Sequence, residues 1–190
     1  MEMELNREEC SQILKKYTQN ESLLKHAYAV ETCVVAYAEK FGEDKKYWGN
    51  VALLHDFDYE KFPTADEHPY KGNEILKELG FSEDFRTAIM SHAEYTGILR
   101  ETKLQKTLFA CDELTGFITA VTYVRPSRSV DEVEVKSVKK KMKDKGFARA
   151  VNRDEIIQGA EALGIPLDEH IQFCIDAMKK NKELLGLWKG

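Results

Sequence analysis

The sequence has no CxxC pair, no long apolar run, and no tract rich in proline, glycine or serine, and each absence excludes a class of protein. Its four cysteines, Cys10, Cys33, Cys111 and Cys174, are scattered. That fits neither a thiolate zinc site nor a disulfide framework, and points to reduced thiols in a cytoplasmic setting. The longest apolar stretches, such as Val51 to Leu54 and Cys33 to Ala38, are far too short to span a bilayer. The opening residues MEMELNREEC are acidic, where a targeting segment would carry basic residues before an apolar stretch. A cationic excess is lacking too. Lys and Arg total 28 against 33 Asp and Glu, a net charge of -5, so neither a nucleic-acid polymer nor a membrane surface is an expected partner. No repeat period and no low-complexity tract appears. With 190 residues and no linker, one domain over 1–190 is the expectation.

Helical periodicity is present nearly everywhere. Leu23, Ala27, Val30, Val34, Ala38 and Phe41 form one stripe that stops at Gly42. Asn6 and Ser82 precede acidic first turns, Asn152 with Glu155 reads as a capping box, and Gly80 and Gly164 stand where C-terminal caps belong. The spacing predicts helices near 6–19, 21–41, 45–56, 69–79, 82–94, 102–122, 130–143, 152–163 and 167–186. Phe117 to Val124 is rich in β-branched and aromatic residues, but it continues the stripe of Leu104, Leu108, Cys111 and Thr115 and reads as helix until Pro126. The lysine-rich run from Lys136 to Arg149 reads as a solvated helix face, its lysines following acids as the helix dipole prefers.

Chemistry concentrates in the histidines. His26 is in register with Val30, Cys33 and Tyr37, and His92 follows Phe85 and Ile89, so both rings should point inward. Asp112, four residues after Leu108, should be partly buried and in need of a compensating partner, which a metal ion would be. The doublet His55-Asp56 closes the apolar run Val51 to Leu54, and two such neighbours can converge on an ion lying off the helix end. A mixed imidazole and carboxylate set suits Mn, Fe, Zn, Co or Ni, and Mg less well.

The order His26, His55-Asp56, Asp112 resembles the H…HD…D signature of the HD superfamily of metal-dependent phosphohydrolases. His68-Pro69-Tyr70-Lys71-Gly72, continuing to Ile75-Leu76, is similar to the HPxxGxxIL element of its HDIG-type branch. The resemblance covers about residues 20–125 and leaves about 126–190 as a C-terminal helical extension. It implies an all-α HD-domain bundle with additional C-terminal helices, binding one or two divalent ions. His26, His55, Asp56 and Asp112 would hold the first ion. His68 and His92 would hold a second, or else bind the phosphate or protonate the leaving group. Asp56 would also orient the attacking water.

The implied substrate is a small phosphate ester, a nucleotide or related metabolite. Two family substrates are disfavoured: no Gly-Tyr-Pro element follows His92, against cyclic di-GMP, and no second domain suggests alarmone synthesis. Phe57-Asp58-Tyr59 replaces the Ile-Gly-Lys of the HDIG name, leaving Lys61 as a substitute lysine. Lys71 and Arg100 are the expected phosphate contacts. Arg125 and Arg128 read as exposed, Glu94 as a solvated acid, Tyr95 and Thr96 as the mouth of the site, and His170 as a surface residue. The competing expectations are an inactive HD module, sensing a ligand or serving assembly around a structural ion, and a plain bundle with packed histidines. Nothing in the sequence sets an oligomeric state.

Overall fold

In a computed structural model, which describes residues 6–188, the predicted stripes fold into nine α-helices, with two single 3-10 turns and no strand among the described residues. Asn6 starts α1 (Arg7–Tyr17) with a capping box to Glu9. Asn20 starts α2 (Glu21–Phe41), which ends at Gly42 in the left-handed region, φ 69°, where a glycine carries no Cβ penalty. Asp44 caps α3 (Lys45–Leu54). Then come α4 (Tyr70–Glu78), α5 (Glu83–Met90), α6 (Lys103–Tyr123), α7 (Val135–Met142), α8 (Arg153–Leu163) and α9 (Leu167–Lys180). No helix among the described residues is long and apolar enough to cross a membrane.

Four boundaries differ from the expectation, two of them at the site. Helix α3 stops at Leu54, so His55 and Asp56 lie in the turns that follow it, and α5 stops at Met90, ahead of His92. The predicted helix near 130–143 divides into a 3-10 turn at Val130–Glu132 and α7, and the last helix ends at Lys180. Phe117 to Tyr123 is helical, because Phe117, Ile118 and Val121 bury on one side of α6, and tertiary burial overrides their strand propensity.

The two 21-residue helices α2 and α6 pack on each other at the centre. Helix α3 covers α2, α9 packs on both α2 and α6, and α8 lies along α6. The last contact depends on Gly159: a Cβ there would stand 2.6 Å from Ala110 Cα, a backbone atom that cannot move aside. Gly159→Ala should therefore cost about 1–3 kcal/mol and lower the melting temperature by roughly 2–12 °C for a chain of this size. Unchanged thermal unfolding by circular dichroism would mean that α8 and α6 do not approach this closely.

His170 is not a surface residue. It is fully buried on α9, one turn before Cys174 on the stripe that faces the core, and the acids Asp168 and Glu169 beside it occupy the opposite face. Its Nε2–H donates to the Ala110 carbonyl at 2.8 Å, which leaves Nδ1 to accept from the Tyr37 hydroxyl at 2.6 Å. Burial depresses its pKa below the ordinary 6.5, partly opposed by the Ala110 carbonyl, so the folded ring stays neutral where the unfolded ring takes a proton. Stability from His170 is thus present above pH 6.5 and is lost as pH falls below it. Melting curves between pH 7.5 and pH 5 should show the wild-type Tm falling more steeply than that of His170→Gln. Parallel curves would contradict the neutral buried ring.

Candidate metal centre

Five segments deliver six donors to one place: α2 brings His26, the turn after α3 brings His55 and Asp56, the loop before α4 brings His68, the end of α5 brings His92, and α6 brings Asp112. They form two groups, His26, His55, Asp56 and Asp112 in one, Asp56, His68 and His92 in the other, with the donor atoms of each group within 4.8 Å of one another. Asp56 belongs to both. Its Oδ2 lies 3.4 Å from His55 Nε2 and 3.8 Å from His26 Nε2, and its Oδ1 lies 3.2 Å from His68 Nε2 and 3.1 Å from His92 Nε2. Asp112 Oδ1 faces His26 Nε2 at 3.0 Å and His55 Nε2 at 3.4 Å.

The second ring nitrogen of three histidines is already committed, which decides what the first can do. Nδ1–H of His55 donates to the Ala52 carbonyl at 2.7 Å, that of His92 to the Ile89 carbonyl at 2.6 Å, and that of His68 to Asp58 Oδ1 at 2.8 Å. Each neutral ring therefore turns a bare Nε2 lone pair inward. His55 Nε2 is buried with no hydrogen-bond partner. His68 Nε2 and His92 Nε2 stand only 3.3 Å apart, two lone pairs that repel unless a cation lies between them and Asp56. Ligands about 2.1 Å from one ion sit roughly 3.0–3.4 Å from each other, the spacing found here, so the residues fit a divalent metal.

Electrostatics agree with that fit. Burial opposes charge on His55, yet Asp56 and Asp112 outweigh it and hold the imidazole well above its ordinary range. Burial likewise opposes charge on His68, and hydrogen bonds to Asp56 and Asp58 push it up to about 9. On the acid side burial favours the neutral form, but the adjacent His55 charge first, and the nearby imidazoles of His68 and His92, keep Asp56 well below the usual carboxylate range. Asp112 is lowered in the same way, by the His55 charge and by its hydrogen bond with His26. The cluster demands positive charge at its Nε2 atoms, and protons and metal ions compete for them, so metal affinity should fall with pH.

Asp58 has a part that its place in the sequence did not reveal. Its side chain is 1% exposed, with Oδ1 on His68 and Oδ2 accepting from the Gly72 N–H at 2.8 Å. Gly72 is glycine for a physical reason: a Cβ would meet Asp58 Cγ and Oδ2 at 2.8 Å and Phe57 Cε1 at 3.0 Å. The carboxylate two residues after the doublet and the glycine four residues after His68 thus form a single device that aims one imidazole.

Five of the six donors, all but the wholly buried His55, floor a cavity of about 370 Å³, whose walls include Tyr59, Glu94, Tyr95, Glu113, Gly116, Val151 and Glu155. Burial, followed by the adjacent Asp112 charge, pushes the Glu113 carboxyl up to about 7, against the Asn152 N–H that it accepts. Burial and the Asp112 charge raise Glu155 as well. The capping box expected at α8 is altered accordingly: the Asn152 N–H donates to Glu113 and not to Glu155. Glu113 and Glu155 carried no functional signal in the sequence, the one shadowed by Asp112 and the other read as a cap.

The basic residues expected at the phosphate lie elsewhere. Lys71 is half-exposed on α4 and pairs with Glu74 at 3.0 Å. Arg100 is held by Glu94 and lies over the Phe109 ring, its guanidinium 3.5 Å from the centroid. Glu94 is solvated as expected, its side chain 61% exposed, while it pairs with Arg100. Lys61 stacks on Tyr17, 4.6 Å from the ring centroid, and Arg125 is turned toward Glu132. No lysine or arginine lines the cavity among the described residues. Tyr95 does reach the mouth, where its hydroxyl donates to the His68 carbonyl at 2.7 Å.

A family model described as HD domain matches residues 23–116, a span that contains all six donors and all of the cavity lining except Ala150, Val151 and Glu155. No solved structure matches the chain.

Proposed function

Because the chain belongs to the HD superfamily, with its HD domain at residues 23–116, we propose that it is a phosphohydrolase that cleaves a small phosphate ester using two divalent ions. The observation that carries this reading is the position of Asp56, one oxygen toward His26 and His55, the other toward His68 and His92. A divalent ion bound there supplies Lewis acidity, making a nucleophile of water near neutral pH and absorbing charge on the phosphoryl oxygens. The carboxylates of Asp56 and Asp112 stay ionised and can accept a proton contact from a water at the floor. His55, His68 and His92 are locked by their Nδ1–H bonds, so the floor is set before a substrate arrives, which lowers the reorganisation that the reaction requires. A cavity of about 370 Å³ suits an ester of metabolite size.

A purely structural ion, as in an inactive module, would have every coordination position closed by protein. Here the side chains of His26 and Asp112 keep 22% and 16% of their surface and open onto the cavity, which favours the catalytic reading. Purified protein should contain a divalent metal at stoichiometric level, and a panel of phosphomonoesters and phosphodiesters should show turnover that a chelator stops and added metal restores. Stoichiometric metal without turnover of any ester would contradict hydrolysis.

A further inference from the structure

We propose that Arg153 is a positioning residue of the substrate cavity: its guanidinium ties down segment 144–151 as a fixed wall, where Ala150 and Val151 receive an apolar organic group of the ester. This inference rests on the phosphohydrolase reading and narrows its substrate.

Between α7 and α8 the chain forms no helix, so its carbonyls need other donors. Arg153, the first residue of α8, supplies them from one group. Its Nη1 donates to the carbonyls of Ala148 at 2.7 Å and Val151 at 2.9 Å, and its Nη2 donates to those of Asp144 at 3.2 Å and of Phe147. All four Nη hydrogens are thereby committed. The clamp holds two local arrangements that are unfavourable on their own: Ala148 has φ 41°, in the left-handed region that a Cβ disfavours, and Arg153 Nε is buried without a hydrogen-bond partner.

The clamp is registered to the metal centre through α6. The guanidinium carbon lies 5.0 Å from the centroid of the buried Phe117 ring, and Phe147 meets the same ring edge-on at 5.5 Å. Phe117 follows Gly116, which lines the cavity one turn beyond Asp112. Past its far end the segment is tied to the same helix, since the Asn152 N–H donates to Glu113 at 2.9 Å. Ala150 and Val151 offer the cavity no hydrogen-bonding side chain, so what they can recognise is an apolar group. The rings of Tyr59 and Tyr95 line the same cavity and suit the same kind of group. Ala150, Val151 and Arg153 lie beyond the HD match, so this wall belongs to the chain's own extension and not to the shared domain.

Phenylphosphonate and methylphosphonate, titrated calorimetrically into the Mn-loaded full chain, test the wall, and trypsin tests the clamp at Lys145 and Arg149 within the segment. Phenylphosphonate should bind about tenfold tighter, the gain from covering part of its ring. Arg153→Lys keeps the positive charge but loses the planar fork that reaches four carbonyls. It should reduce that ratio at least about threefold and be cut several times faster at Lys145 and Arg149. Val151→Ser changes the wall and leaves the clamp alone, so it should reduce the ratio with cleavage as in the wild type. Melting curves separate opening of the segment from loss of the fold. Equal affinities for the two phosphonates, a ratio that survives either substitution, or unchanged cleavage of Arg153→Lys would overturn the proposal while leaving ester hydrolysis standing, as would failure of both phosphonates to bind a protein that hydrolyses esters. If neither phosphonate binds and no ester is hydrolysed, the phosphohydrolase reading itself fails and the wall's role with it.

Discussion

Asp56→Ala is expected to lower turnover at least about a thousandfold and to reduce bound metal at both groups of donors. The size of the effect follows from sharing: the one carboxylate faces four imidazoles, so its loss removes a ligand and a negative charge from each group at once. Activity that depends on a metal for both nucleophile and charge stabilisation cannot survive as a partial contribution from the other residues, because groups that act as a unit are not additive. Asp56→Asn should be nearly as inactive, since the neutral amide offers a single oxygen ligand in place of two and no negative charge to either ion. Metal content by elemental analysis, read beside turnover and a melting curve, separates loss of ions from loss of fold. Retention of two ions and of activity in Asp56→Ala would exclude a shared ligand.

Asp58→Asn and Gly72→Ala should produce one phenotype, although one changes a carboxylate and the other adds a methyl group to a different element. An asparagine in place of Asp58 can accept from His68 Nδ1–H or from the Gly72 N–H with its single oxygen, but not from both as the carboxylate does. Alanine at Gly72 drives a Cβ into Asp58 Cγ and pushes the same carboxylate off His68. Each change releases the imidazole of His68 and should weaken the ion held by Asp56, His68 and His92 by about 10–100-fold, the usual cost of losing the group that orients a histidine ligand. The ion held by His26, His55 and Asp112 should be spared. A calorimetric metal titration reads this as two steps of which one weakens. Equal weakening of both steps, or of neither, would contradict the assignment of Asp58 to His68.

The helices and the convergence of the six histidine and aspartate side chains were legible because both are written in local spacing and motif order. The stripe from Leu23 to Phe41 and the caps at Asn6, Ser82 and Gly164 needed no tertiary information, and the histidines and aspartates followed a motif order. What escaped depends on contacts between distant segments. His170 looked exposed because its sequence neighbours are acidic, while its partners Tyr37 and Ala110 are 133 and 60 residues away. Arg100 looked free because its capture by Glu94 and Phe109 requires the loop after α5 to fold back on α6. Asp58 had no periodic signature, since its role exists only once the turn after α3 meets Gly72 on α4. Glu155 was visible as a helix-start residue, and only the packing of α8 on α6 turns that start into a cavity wall.

Anomalous diffraction from crystals grown with Mn tests the central arrangement most directly. Two peaks are expected on either side of the Asp56 carboxylate, one within about 2.0–2.3 Å of nitrogens from His26 and His55 and an oxygen of Asp112, the other as close to nitrogens from His68 and His92. A map with no peak touching Asp56, or with Mn bound only at surface acids, would contradict it.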